Sequence, residues 1–202
     1  MTCQGTPSIP GTAPACLAGA CASNCTNTDR QICYGDTSSC VQSFWTFAGG
    51  DKGYWNNTNE TSSEVATDHG RNDGYSLRLY ASFNPQYPAE AFTDFCFGSS
   101  SSGSVYVRGK SASAYVYIQA TSYGSYAARC RIIAYQQDFT RINLPWTNTP
   151  TLNTWVQLTG SFGDQDVSIM QLGVVCDLPP SWNDGSGTDL ERWYIDDIRI
   201  TN

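Results

Sequence analysis

The C-terminal run Glu191 to Ile200, ERWYIDDIRI, sets two carboxylates, Asp196 and Asp197, between Ile195 and Ile198. Adjacent carboxylates can supply oxygens to a hard cation or accept backbone N–H groups. A strand alternates sides at every residue, so strict alternation cannot bury two isoleucines three positions apart. A bulge, or a cation held by the acid pair, reconciles the pattern. Asp196 and Asp197 are therefore the candidate metal ligands.

A second set of residues suits sugar chemistry. Flat aromatic faces cover the apolar C–H side of a pyranose ring, and planar polar side chains bridge neighbouring hydroxyls. The chain holds 12 Tyr and 6 Trp. Alternation through Ala114 to Gln119 sends Val116 and Ile118 to one face and Tyr115, Tyr117 and Gln119 to the other. By the same count Val105 and Val107 point inward while Tyr106 and Arg108 point outward. Trp146 in NLPWTN and Trp182 in LPPSWNDG are flanked by loop formers, and exposed loop tryptophans mark recognition. The candidate ligand-binding set is thus Tyr106, Arg108, Tyr115, Tyr117, Gln119, Trp146 and Trp182. Tyr54, Trp55, Tyr123 and Tyr126 read as further loop aromatics, whereas Trp45, Trp155 and Trp193 lie in strand patterns and are expected in the core. The competing reading is that outward aromatics stabilise a sheet by cross-strand pairing and loop tryptophans plug the ends of the fold.

Catalytic patterns are thin by comparison. His69 is the only histidine and falls in a turn, so it reads as structural. A glycosidase needs two suitably separated carboxylates, for which Glu90, Asp94, Asp138, Asp177 and Glu191 are available. A lyase would need a base and a neutralising cation, which Tyr115, Tyr117, Arg108 and Arg131 could mimic. Lyases of that kind act on acidic polymers, and a net charge of −7 offers such a polymer no general attraction. The same acidic balance, with Lys52 and Lys110 the only lysines, disfavours nucleic acid and anionic membranes as partners. A monomer is expected.

The elements that must position these residues are strands. Short β-rich runs separated by Gly, Asn, Asp and Ser are read at 43–48, 75–82, 91–97, 103–109, 114–121, 128–135, 154–162, 169–177 and 192–200. Nothing of helical length carries an apolar stripe. Leu172, Val174 and Cys176 share one strand face, and Cys130 points with Ile132, so Cys130 and Cys176 form a plausible buried bridge. Residues 1–40 hold six of the nine cysteines among Thr, Ser, Gly and Pro and are read as a disulfide-stapled extension, with residues 41–202 as the β-domain. That cysteine usage, with sequons at Asn24, Asn56 and Asn59, predicts a secreted, extracellular glycoprotein. Met1 then reads as an expression start in place of a removed signal peptide.

From about Phe44 to Asn202 the chain resembles the carbohydrate-binding modules of families 4, 9 and 22. The likeness is carried by the order of WTFAGG at Trp45, DHGRNDGYSLRLYAS at Asp68, GSVYVRGKSASAYVYIQA at Gly103, TLNTWVQLTGSF at Thr151 and WYIDDIRI at Trp193. The resemblance implies an antiparallel jelly-roll β-sandwich, all-β, that binds a glycan on a concave face or at its loop tips. It also implies a structural Ca2+ between first and last strands, with Asp196 or Asp197 as ligand and carbonyls of the turn His69 to Gly74 as further donors. The family's acid before the first tryptophan segment is missing, since Val41, Gln42 and Ser43 stand there. The function expected is a non-catalytic module for a neutral cell-wall polysaccharide. The alternatives are a small jelly-roll hydrolase or lyase, and a structural or adhesive protein.

Overall fold

A computed structural model describes residues 31–33, 40–42, 44–50, 52, 55–58, 62–82, 89–94, 105–119, 129–147, 151–177 and 190–201. The expectations for Trp182, Tyr54, Tyr123 and Tyr126, and for most of the 1–40 segment, lie outside these residues.

The described strands are β1 (Gln31–Cys33), β2 (Cys40–Gln42), β3 (Phe44–Trp45), β4 (Trp55–Thr58), β5 (Ser62–Ala66), β6 (Ser76–Ser82), β7 (Ala89–Asp94), β8 (Val105–Tyr106), β9 (Ser111–Ile118), β10 (Arg129–Gln136), β11 (Arg141–Asn143), β12 (Trp155–Ser161), β13 (Ser168–Asp177) and β14 (Leu190–Thr201). β1 and β2 pair as a separate hairpin. The rest form two antiparallel sheets packed face to face, a jelly-roll sandwich. The first has the order β12-β9-β14-β6-β5, with β3 also on β14; the second has the order β11-β10-β13-β7-β4, with β8 also on β13. Among the described residues no helix is long and apolar enough to cross a membrane.

Period-2 alternation builds the core. Ala112, Ala114, Val116 and Ile118 of β9 point in, and so do Leu77 and Leu79 of β6 and Trp193, Ile195, Ile198 and Ile200 of β14. They meet Cys130, Ile132 and Ala134 of β10 and Leu172, Val174 and Cys176 of β13. Each large apolar side chain buried this way contributes about 1.5–3 kcal/mol. Cys130 and Cys176 sit directly opposite each other in the ladder, with Cα atoms 4.2 Å apart, and their sulfurs are bonded. That separation is the close spacing of a non-hydrogen-bonded antiparallel pair. Cys130 turns its backbone groups the other way, exchanging hydrogen bonds with Thr147.

The closing strand β14 carries the bulge its sequence calls for. Its register against β9 shifts between Asp196 and Arg199, and Asp197 adopts φ 48°. The extra residue resets the alternation, so Ile195 and Ile198 are both fully buried.

Two tryptophan expectations are corrected. Trp55 is a core residue in β4, 1% exposed, with its ring edge-on to Trp45 at 6.1 Å and to Phe47 at 5.7 Å. The Asn-rich sequence around it has low strand propensity, and pairing with β7 supplies the strand. Trp155 was expected in the core, but it lies opposite Tyr117 on an edge strand and shares its outward direction, half-buried.

Candidate functional site

The sandwich offers two outward faces, and both carry aromatic and charged side chains. On the first sheet the ladders align Glu64, Arg78, Tyr194, Tyr117 and Trp155 across five strands. The chain's own turn, residues 67–75, reaches onto this row. His69 stacks on Tyr117 at 4.4 Å and meets Tyr194 edge-on at 4.7 Å. The Tyr194 hydroxyl contacts Asp68 at 3.0 Å and Gln119 at 3.3 Å. Tyr194 is consequently fully buried although it points away from the core, and burial together with the Asp68 contact pushes its phenol up to about 12. Arg78 pairs with Glu64 and Asp68. Burial alone would lower it, but the hydrogen bonds to Glu64 and Tyr194 and the charge of Asp68 raise it above the usual arginine value.

The five residues expected to form one outward row are therefore divided. Tyr115 and Tyr117 lie on the first sheet in contact with its turn, and Gln119 beside them accepts from the Tyr194 hydroxyl. Tyr106, in β8, pairs through β13 with the second sheet, 44% exposed, and its hydroxyl contacts Asp166 at 2.5 Å. Arg108 is exposed in the turn that carries the chain from one sheet to the other. The crossover at Gly109, φ 71°, breaks the continuity that alternation assumed.

The acid pair faces the same turn. Asp196 and Asp197 are 1% and 2% exposed. Asp196 accepts the Asp197 N–H at 2.7 Å and the Arg71 N–H at 3.2 Å. Asp197 accepts the Arg71 guanidinium and the Asn72 amide. Burial pushes the Asp196 carboxyl up to about 8, against the pull of those N–H groups. Calcium takes six to eight oxygens. Among the described residues no group of three or more His, Cys, Asp or Glu side chains converges, and both carboxylates of the pair already hold N–H donors. This donor set does not fit the ion.

The second sheet presents a different surface. Outward alternation gives Arg129, Arg131, Ile133 and Tyr135 on β10, with Gln171, Gly173 and Val175 opposite on β13 and Glu90 beyond on β7. Glu90 is 4% exposed although it points away from the core, and Ile133 and Val175 are buried beside it. The Tyr135 hydroxyl donates to Glu90 Oε1 at 2.5 Å, and Arg141 Nη2 lies 3.3 Å from Glu90 Oε2. Gly173 sits opposite Ile133 on one side and Phe92 on the other. Having no side chain, it adds none between the Tyr135–Gln171 and Val175–Glu90 rungs that the Tyr135–Glu90 bond spans. Burial first, then the bond to Glu90, pushes the Tyr135 phenol up to about 12. At the other end of β10 the Arg131 and Arg129 guanidiniums lie 4.0 and 4.5 Å from the centre of the Trp146 ring. Trp146 is half-buried and held beside β10 by the Cys130–Thr147 bridge.

Of the expected ligand residues, Trp146 belongs to this face, and Tyr106 lies on the same sheet where β8 pairs with β13. Glu90, Tyr135 and Arg141 were not picked out as binding residues. Tyr135 was within reach of the sequence, because Cys130 and Ile132 point inward and Arg131, Ile133 and Tyr135 must then point out. Glu90 and Arg141 had no such signal, since β7 begins two residues earlier than its pattern suggests and β11 is three residues long.

No family model matches the chain, and no curated protein sequence matches it. Its fold is nevertheless shared with solved carbohydrate-binding modules. One from the β-sandwich superfamily is 15% identical with a TM-score of 0.56, over 79% of this chain and 62% of that one. The CBM22-2 xylan-binding domain of Paenibacillus barcinonensis is 14% identical with a TM-score of 0.51, over 78% and 97%. A CBM28 module specific for non-crystalline cellulose is 12% identical with a TM-score of 0.56, over 78% and 92%. The chain thus spans under two thirds of the first structure and nearly all of the other two.

Proposed function

We propose that the chain is a secreted, non-catalytic, monomeric glycan-binding module that recognises a neutral cell-wall polysaccharide through the outward face of its second sheet. The observation that carries this reading is the half-buried group of Tyr135, Arg141, Arg131 and Trp146 on an outward face, with Tyr135 and Arg141 fixed by the buried Glu90 carboxylate. Guanidiniums and a phenol fixed in this way bind vicinal hydroxyls through directional hydrogen bonds, charge-assisted at the arginines. A tyrosine and a tryptophan supply flat surface for the C–H faces of the rings. The structural likeness to xylan- and cellulose-binding modules supports the same reading. Nine cysteines and the buried Cys130–Cys176 bond support secretion into an oxidising compartment.

Non-catalytic binding agrees with the arrangement of Glu90. Its oxygens are engaged by Tyr135 and Arg141, whereas a glycosidase carboxylate must reach the scissile bond or a water poised beside it. The test is a pull-down on insoluble xylan and cellulose, followed by titration with soluble oligosaccharides and a reducing-sugar assay. Retention without new reducing ends is the expected result; release of ends, or no retention on any neutral polysaccharide, would sink the reading. The face is assigned separately by Glu90→Gln and Trp155→Ala, of which only the first should weaken retention.

A further inference from the structure

Where the turn at residues 67–75 meets the acid pair of the closing strand β14, Arg71 supplies the positive group. Arg71 pairs with Asp197, donates its backbone N–H to Asp196, and lays its guanidinium 3.5 Å from the centre of the Tyr115 ring. Asn72 adds its amide to Asp197. The two carboxylates come from a bulge that holds them both in the interior, at 1% and 2% exposure. Buried neighbouring carboxylates need a compensating cation close by, since burial without one carries a penalty of several kcal/mol per charge. The backbone is shaped to bring Arg71 there. A Cβ on Gly70 would lie 2.0 Å from the Gly74 carbonyl carbon, and Gly74 has φ 86°, so the turn closes on itself only with glycine at both positions.

We propose that the Arg71 guanidinium is this chain's built-in cation, filling the position between the 67–75 turn and β14 that a divalent metal could otherwise occupy. The closure of the sandwich is therefore independent of metal. The Tyr115 ring serves as a lid over the cation through its π face. Tyr115 is thereby committed to the guanidinium rather than to a ligand. This assignment does not depend on the proposed glycan function.

The experiment follows thermal unfolding of the full chain, purified through EDTA, with and without millimolar Ca2+, for wild type, Arg71→Ala, Arg71→Lys and the exposed control Arg108→Ala. Wild type should unfold at the same temperature in both conditions and should carry no stoichiometric metal by elemental analysis. Arg71→Ala should unfold roughly 10 °C lower, as expected for a buried carboxylate pair that loses its partner in a chain of this size. Ca2+ should restore none of that loss, because two carboxylates and an amide fall short of the six to eight oxygens the ion takes. Arg71→Lys should lie between, and Arg108→Ala should match wild type. A wild-type Tm that falls in EDTA and returns with Ca2+ would overturn the proposal, as would a bound stoichiometric metal. An Arg71→Ala as stable as wild type, or one that Ca2+ rescues, would overturn it as well. Should Arg71→Ala not fold, the same Ca2+ comparison on Arg71→Lys and the wild-type metal content decide the matter.

Discussion

The outward faces of the two sheets are built from similar side chains and used in opposite ways. On the first, His69 and Arg71 reach from a turn and engage Tyr117, Tyr194 and Tyr115, so the aromatic rings bind the chain's own side chains. On the second, Glu90, Tyr135 and Arg141 form a network supplied by the strands themselves, with Trp146 at one end. Outward aromatics alone therefore do not identify a binding face. What separates the two is where the partners come from: a turn reaches onto the rings of the first sheet, whereas the strands of the second supply their own, with Arg129 and Arg131 against Trp146.

The strongest way to test this contrast is to loosen one sheet at a time. The Cys130–Cys176 bond ties only strands of the second sheet, its ends 46 positions apart in sequence. Its loss as the Cys130→Ala, Cys176→Ala double variant should cost about 4 kcal/mol by loop-closure entropy. Hydrogen exchange should show the resulting loosening first in β10 and β13, not in β9 and β14. Equal loosening of both sheets would mean that they unfold as one unit.

Glu90→Gln should come next in size. It replaces a charged acceptor by a neutral amide, an effect of about 2 kcal/mol, or roughly a 30-fold loss of oligosaccharide affinity in calorimetry. Smaller still is the tryptophan pair. Trp146→Ala should lower affinity about tenfold, while Trp155→Ala leaves it unchanged. His69→Ala on the first sheet should leave binding intact and lower stability by about 1 kcal/mol through the lost ring contacts. Comparable binding losses at Trp146 and Trp155 would erase the distinction between the faces.

The least forceful probe is alkaline titration, in which the faces should behave alike. Tyr135 and Tyr194 both hold their protons up to about 12 in the folded chain, against an ordinary value of 10. Between those values the unfolded phenols ionise while the folded ones do not, so the unfolded state binds fewer protons. Stability must then fall as pH rises from about 10 to about 12. Ultraviolet titration should show one fewer late phenol in either Tyr135→Phe or Tyr194→Phe than in wild type.

Much of the architecture was legible in the sequence because burial imposes period 2. The inward directions of Val116, Ile118, Leu172, Val174 and Cys176 could be counted directly, and the clash between Ile195 and Ile198 already demanded a bulge. The missing parts arise from long-range pairing. β4, β5 and β11 are short and polar, and they become strands by hydrogen bonding to β7, β6 and β10. Likewise, no local pattern says that residue 71 will meet residues 196 and 197, or that the chain changes sheets between Tyr106 and Ser111. Alternation fixes which side a residue faces, and only the topology decides what lies on that side.

The position of β14 carries one more consequence, for how the chain is made. It is the last of the described strands in sequence, yet it lies in the middle of the first sheet, between β9 and β6. As the chain leaves the ribosome, β9 and β6 must therefore wait with unpaired edges until residues 190–201 emerge. The first sheet cannot assemble stepwise from its N-terminal side. Contacts separated by well over a hundred residues close late and slow the search, and open strand edges invite pairing with other chains in the meantime. Shortening the chain before residue 190 should therefore yield aggregates instead of a smaller folded sandwich.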